Sequence, residues 1–143
     1  MGEHCNGQSG VAAQRDHYAI GAGAVLFRMG ARVGTLRARL NIKAPAISGH
    51  PDFERAFRVH ANTGKQYIAF LPALWVATVL FHPLYWLPAL LGALFLIGRV
   101  LYMRLYLSDP DSRLPGAFLS MIPILGLLVL IIIGIVQMWG SAF

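Results

Sequence analysis

Gln66-Tyr-Ile-Ala-Phe-Leu-Pro-Ala-Leu-Trp-Val-Ala-Thr-Val-Leu-Phe-His-Pro-Leu-Tyr-Trp-Leu-Pro-Ala-Leu-Leu-Gly-Ala-Leu-Phe-Leu-Ile-Gly98 contains no Asp, Glu, Lys or Arg. An apolar helix needs roughly 20 residues to cross a bilayer, and this block is well beyond that. A second charge-free block follows Arg113 and holds Leu-Leu-Val-Leu-Ile-Ile-Ile at 127–133. Of the 143 residues, 57% are hydrophobic and only 13% are charged. The sequence therefore predicts an all-α membrane protein, and the length suggests one domain.

Working outward, the charges gather at 28–65 and 99–113, on the flanks of the apolar blocks. The net charge of +6 then reads as short cytoplasmic loops under the positive-inside rule, not as a nucleic-acid surface. The lone Cys5 has no partner for an internal disulfide. No secretory leader is evident. His17 and His82 lack carboxylate or cysteine partners at ligand spacing, so no metal is expected.

Residues 1–17 are polar and glycine-containing and read as a loose tail. The first span, about 18–36, is poor, because Arg28 and Arg32 follow closely on its apolar start. It is either completed by residues 30–36 with its arginines turned to the interior or interface, or it is degenerate. Pro45 and Gly49 break the chain after it. Pro51 suits a first helical position, and Asp52 and Glu54 favour a helix start. That helix should run from 51 to 81 with a kink at Pro72. An uncharged aromatic turn at 81–86 precedes spans at about 86–107 and 115–139. The reading is a four-helix transmembrane bundle, with the basic loops 37–50 and 108–114 in the cytoplasm.

Helix periodicity places Arg55, Arg58, Asn62 and then Lys65 or Gln66 on one stripe. Two readings compete: a solvated helix end, or an anion site within the membrane, where a buried cation needs a partner. Arg99, Tyr102 and Tyr106 fall at i, i+3 and i+7, again one face. An interfacial aromatic belt explains Tyr106 well but leaves Arg99, deep in an apolar run, unexplained.

The string Gly49-His-Pro-Asp-Phe-Glu-Arg-Ala-Phe-Arg-Val-His-Ala-Asn62 resembles the second-helix signature of the MAPEG family, membrane-associated proteins in eicosanoid and glutathione metabolism. Ile97-Gly-Arg-Val-Leu-Tyr-Met-Arg-Leu-Tyr106, followed by Arg113, also resembles that family, as does Ile42-Lys-Ala-Pro-Ala46. The resemblance runs from about residue 37 onward. It implies a homotrimer with glutathione, the co-substrate, bound between subunits near the cytoplasmic face. In that family Arg58 would hold a glutathione carboxylate or support the site, Asn62 would bond the peptide, and His60, Tyr102 and Tyr106 would contact it. Arg113 would stabilise the thiolate, and Arg37 would stand near the cofactor on the first helix. Lipophilic electrophiles would arrive from the membrane lipid.

The physics agrees. Arginines suit a peptide with two carboxylates, and nearby cations lower a thiol's pKa from about 8.5. Two departures stand out. Lys65 occupies the place of a family acid that pairs with the glutathione ammonium, and the first span is weak. The leading expectation is a glutathione-dependent transferase, with peroxidase activity as its companion. A non-catalytic lipid-binding or scaffold member of the fold is the alternative.

Overall fold

The computed structural model describes residues 2–81, 83, 84 and 86–141. The expectation for His82 lies outside them, as does the side chain of Cys5. Four helices follow one another: α1 (Gly2–Arg39), α2 (Pro51–Leu80), α3 (Leu87–Ser108) and α4 (Leu114–Gly140). A single 3-10 turn, Pro110–Arg113, links the last two.

The loose tail expected at 1–17 is instead helical from Gly2 and continuous with the rest of α1. Nothing in that stretch blocks a helix, since it holds no proline and its polar side chains need no burial. At 1.5 Å per residue α1 is about 57 Å long, far more than the roughly 30 Å hydrocarbon layer. Its polar half therefore projects beyond any part that a membrane covers.

The start of α2 follows its sequence signals closely. His50 caps it, its Nδ1 accepting from the Asp52 amide at 3.2 Å, and Pro51 takes the first helical position. Glu54 reaches back to accept from the Gly49 amide at 3.2 Å, so two helix-start donors are satisfied by side chains. Pro72 lies inside α2. It removes one backbone bond there, yet the helix continues on both sides.

The helices α3 and α4 pack most extensively, α1 lies on α2, and α2 touches the other three. The central layer is aromatic: Phe70 stacks on Phe95 at 3.8 Å, and Tyr67 stands 5.5 Å from Phe95. Leu74 and Leu127 close the same core. The outside is equally apolar, with Leu125, Val129, Ile132 and Val136 all exposed along α4. A soluble domain hides such a stripe, whereas lipid solvates it. Both α3 and the stretch 111–140 are long and apolar enough to cross a membrane.

Small residues set the helix spacing. A Cβ on Gly98 would lie 2.7 Å from the Ser120 amide nitrogen, and one on Gly134 would lie 2.7 Å from the Leu80 carbonyl oxygen. Gly116 meets the backbone of Tyr102 in the same way. Lipid tails are as apolar as leucine, so close backbone packing of this kind is what holds membrane helices together.

Candidate functional site

Arg99 organises the middle of the bundle, inward of the end where α2 begins and α3 ends. It is only 1% exposed. Its Nη1 donates to Gln66 Oε1 at 3.1 Å and to Ser120 Oγ at 3.4 Å, and Nη2 donates to Thr63 Oγ1. Each of these partners is neutral. The Thr63 hydroxyl donates to the Val59 carbonyl at 2.7 Å, and the Ser120 hydroxyl to the Gly116 carbonyl at 3.0 Å. One guanidinium thus ties α2, α3 and α4 at a single level. It also lies 4.3 Å over the Tyr102 ring, a cation held by an aromatic face. Arg99 is therefore enclosed by the bundle and stands behind the Tyr102 ring.

Tyr102 is the next link outward. Its hydroxyl oxygen accepts from Asn62 Nδ2 at 3.1 Å, which leaves its own proton free to donate. Tyr106 follows one turn along, 5.5 Å away between ring centroids. Arg113 lies 5.9 Å from the Tyr106 ring. Tyr102 and Tyr106 are 4% and 7% exposed, while Asn62 and Arg113 are open. Arg58 is also open, one turn before Asn62 on the same face of α2. The structure thus gathers Asn62, Tyr102, Tyr106 and Arg113 into one polar strip and sets Arg58 at its edge.

It does not bring His60 or Arg37 there. Residues two apart on a helix point in nearly opposite directions, so His60 turns away from Asn62. His60 faces α1, where a Cβ on Gly30 would lie 3.3 Å from its Cε1. With Gly23, Leu26, Phe27 and Ala31 it lines an open pocket of about 490 Å³, and its Nδ1 has no hydrogen-bond partner among the described residues. Arg37 donates to the Ile42 carbonyl at 3.3 Å and covers the Phe53 ring at 4.8 Å. Within this chain, then, the predicted residues form one strip and two outlying positions.

The turn that delivers Arg113 is fixed by Asp109. Its carboxylate accepts from the Ser112 hydroxyl at 2.8 Å and from the Asp111 amide at 3.2 Å. Ser112 foremost, then the Asp111 amide, hold its pKa below the ordinary carboxylate value, and the charge of Arg55 adds to this.

Sequence reasoning missed Thr63 and Ser120 as partners of Arg99. Ser120 carried a usable signal, being a hydroxyl in the first turns of an otherwise apolar α4. Thr63 had none, because a threonine within a polar stripe looks like part of the stripe.

The sequence profile of the MAPEG family matches residues 17–133. An uncharacterized protein of Synechocystis sp. is 39% identical over 104 residues, covering 70% of this chain and 74% of that one. Microsomal glutathione S-transferase 2 of Homo sapiens is 35% identical over 100 residues, covering 70% of this chain and 66% of the relative. Leukotriene C4 synthase of Rattus norvegicus is 34% identical over 89 residues, covering 62% and 58% respectively. The matched region is thus less than two thirds of the length of either enzyme.

Proposed function

We propose that this chain, which belongs to the MAPEG family, is a membrane enzyme that joins the thiolate of glutathione to lipophilic electrophiles. The observation that carries this reading is the convergence of Asn62, Tyr102, Tyr106 and Arg113 from α2, α3 and the turn before α4. A relative that is a glutathione S-transferase by name supports glutathione as the thiol.

The strip suits that chemistry. Arg58 offers a bidentate contact to a carboxylate, and Asn62 and Tyr102 offer hydrogen bonds to a peptide. A thiol beside Arg113 would ionise below its usual value of about 8.5, its proton passing to water at the polar end. The sulfur then forms the C–S bond, and the departing electron pair leaves with the leaving group or opens an epoxide to an alkoxide that water protonates. With a hydroperoxide, the same thiolate takes the distal oxygen and releases an alcohol. A second glutathione then converts the sulfenic acid to disulfide and water.

The proposal includes a homotrimer with the site shared between subunits, four membrane spans, and the strip on the cytoplasmic side. Arg37 and His60 turn away from the strip in their own subunit, so only a neighbouring copy can receive them there. The cations Arg37, Arg39, Lys43, Arg55, Arg58 and Arg113 sit at one end of the bundle, which favours the cytoplasmic side.

Arg113→Ala tests the assignment. The expected outcome is a fall in conjugation rate of about 10²- to 10³-fold, as for the loss of one charge-stabilising donor, with assembly unchanged. An undiminished rate would remove Arg113 from the mechanism. Lys65 favours a second reading, a non-catalytic lipid-binding member of the family. Binding of an apolar ligand by a chain that binds no glutathione would establish it.

A further inference from the structure

Lys65 is exposed on the same face of α2 as Arg58 and Asn62. Its depth in the bundle is fixed by its neighbours. Gln66 bonds Arg99, and a Cβ on Gly64 would lie 4.0 Å from Leu26 Cδ1. Lys65 is therefore level with Arg99 on α3 and with Leu26 on α1.

The chain holds six acids: Glu3, Asp16, Asp52, Glu54, Asp109 and Asp111. Measured along the helices at 1.5 Å per residue, none approaches that level. Glu54 lies about 16 Å below Lys65 on α2, and Asp109 lies about 15 Å below Arg99 at the end of α3. Asp52 and Asp111 are farther out at the same end. On α1, Asp16 lies about 15 Å beyond Leu26 in the other direction, and Glu3 farther still. A lysine and an aspartate together reach across only part of such a gap.

A symmetric assembly does not change this. Rotation about an axis along the membrane normal keeps every residue at its own depth, so a neighbouring copy brings its acids to the same wrong levels. Near the lower end of the strip two of the acids are also occupied. Glu54 caps α2 and Asp109 holds the turn, while Asp52 stands exposed at the start of α2. Asp111 stands on the exposed turn two residues from Arg113. Along the strip itself the charged groups are Arg58, Lys65 and Arg113, all cations.

We propose that Lys65 makes this site select thiol peptides whose amino end carries no positive charge, such as N-acylated forms, over those with a free ammonium. The inference rests on the glutathione-type thiol site proposed above and names the co-substrate class that this site takes. A free ammonium here meets Lys65 with no carboxylate at its depth, whereas an acylated amine removes the repulsion and keeps the carboxylate that Arg58 holds and the thiolate beside Arg113.

The test is calorimetric titration of the full-length protein in detergent with glutathione and with N-acetylglutathione, for the wild type and for Lys65→Glu. The wild type is expected to bind N-acetylglutathione at least about tenfold more tightly, a difference of about 1.4 kcal/mol, and Lys65→Glu to reverse that order. Equal affinity, or a preference of the wild type for glutathione, overturns the selectivity. The wild-type comparison decides this even where the variant does not fold. Binding of neither thiol by folded wild-type protein overturns the glutathione reading itself, and the selectivity with it.

Discussion

Gly116→Ala is a small substitution with a large consequence. A Cβ at Gly116 would lie 2.5 Å from Tyr102 Cα, whereas ordinary contact begins at 3.4 Å. The atoms facing it are Tyr102 backbone and its Cβ, which is fixed to that backbone, so no side chain can swing aside. Either α4 retreats by roughly 0.9 Å or α3 is pushed by as much, since packed interiors do not absorb such overlaps. Overpacking of this kind costs about 1–3 kcal/mol, which lowers the melting temperature of a chain this size by about 3–10 °C. The same displacement moves Tyr102, whose 3.1 Å bond from Asn62 would stretch past hydrogen-bond range. A misplacement of about 1 Å in a reacting site can cost 10²-fold in rate. The assay is thermal unfolding in detergent beside glutathione conjugation, with Gly34→Ala as the control. Nothing lies within 4 Å of a Cβ at Gly34, so that variant should gain about 0.5–1 kcal/mol from helix propensity. If Gly116→Ala melts and turns over like the wild type, the tight α3–α4 contact does not position the strip.

Other outcomes follow from the same geometry. Arg99→Met removes a buried cation that has only neutral partners, so the thermal midpoint should hold or rise, as when buried charges give way to apolar side chains. Conjugation should fall nonetheless, because Tyr102 loses the cation over its ring; a midpoint that drops sharply would count against this account. Asp109 titrates below its ordinary value of about 3.9 because its folded neighbours favour the carboxylate. Its contribution is present above that value and is lost as pH falls through the lowered folded pKa. Amide exchange at Asp111 should therefore quicken only at strongly acidic pH, and Asp109→Asn, which can still accept hydrogen bonds, should flatten that dependence.

Much of the bundle could be read in advance because its signals are local. Charge-free runs marked α4 and the first half of α3, and Pro51 with Asp52 and Glu54 marked the start of α2. The opening of α1 gave no such signal, since a polar stretch without proline suits a tail and a helix equally. At the site, spacing placed Arg58 with Asn62 and Tyr102 with Tyr106, because helical faces follow from sequence alone. The same arithmetic separates His60 from Asn62 within the chain, although family likeness groups them. What spacing could not show was the inward direction of Arg99. That depends on Thr63 and Ser120 arriving from two other helices, and on Gly98 letting α4 come close enough for Ser120 to reach.

These features connect through the solvent the protein must face. A polar strip on the outside of a membrane helix bundle is costly wherever lipid is the alternative. The chain lowers that cost from within for Tyr102 and Tyr106, which are buried by packing, and for Arg99, which is held by three side chains and a ring. Arg58, Asn62, Lys65 and Arg113 keep their exposure, so water at the polar end or a ligand that covers them must meet their charges and hydrogen bonds. On the other side of α2 lies a pocket with the opposite need: apolar walls around His60, whose Nδ1 is unpaired among the described residues. A rotation that set this side of one subunit against the strip of the next would meet both needs at one boundary, and a thiol peptide with its carboxylates among the exposed arginines would complete it. Disrupting the boundary should then weaken glutathione binding even where every residue of the strip is intact. A variant such as Gly30→Leu, which crowds His60 without touching Asn62 or Tyr102, isolates that effect. Full thiol binding by a monomeric Gly30→Leu protein would show that the strip needs no second subunit.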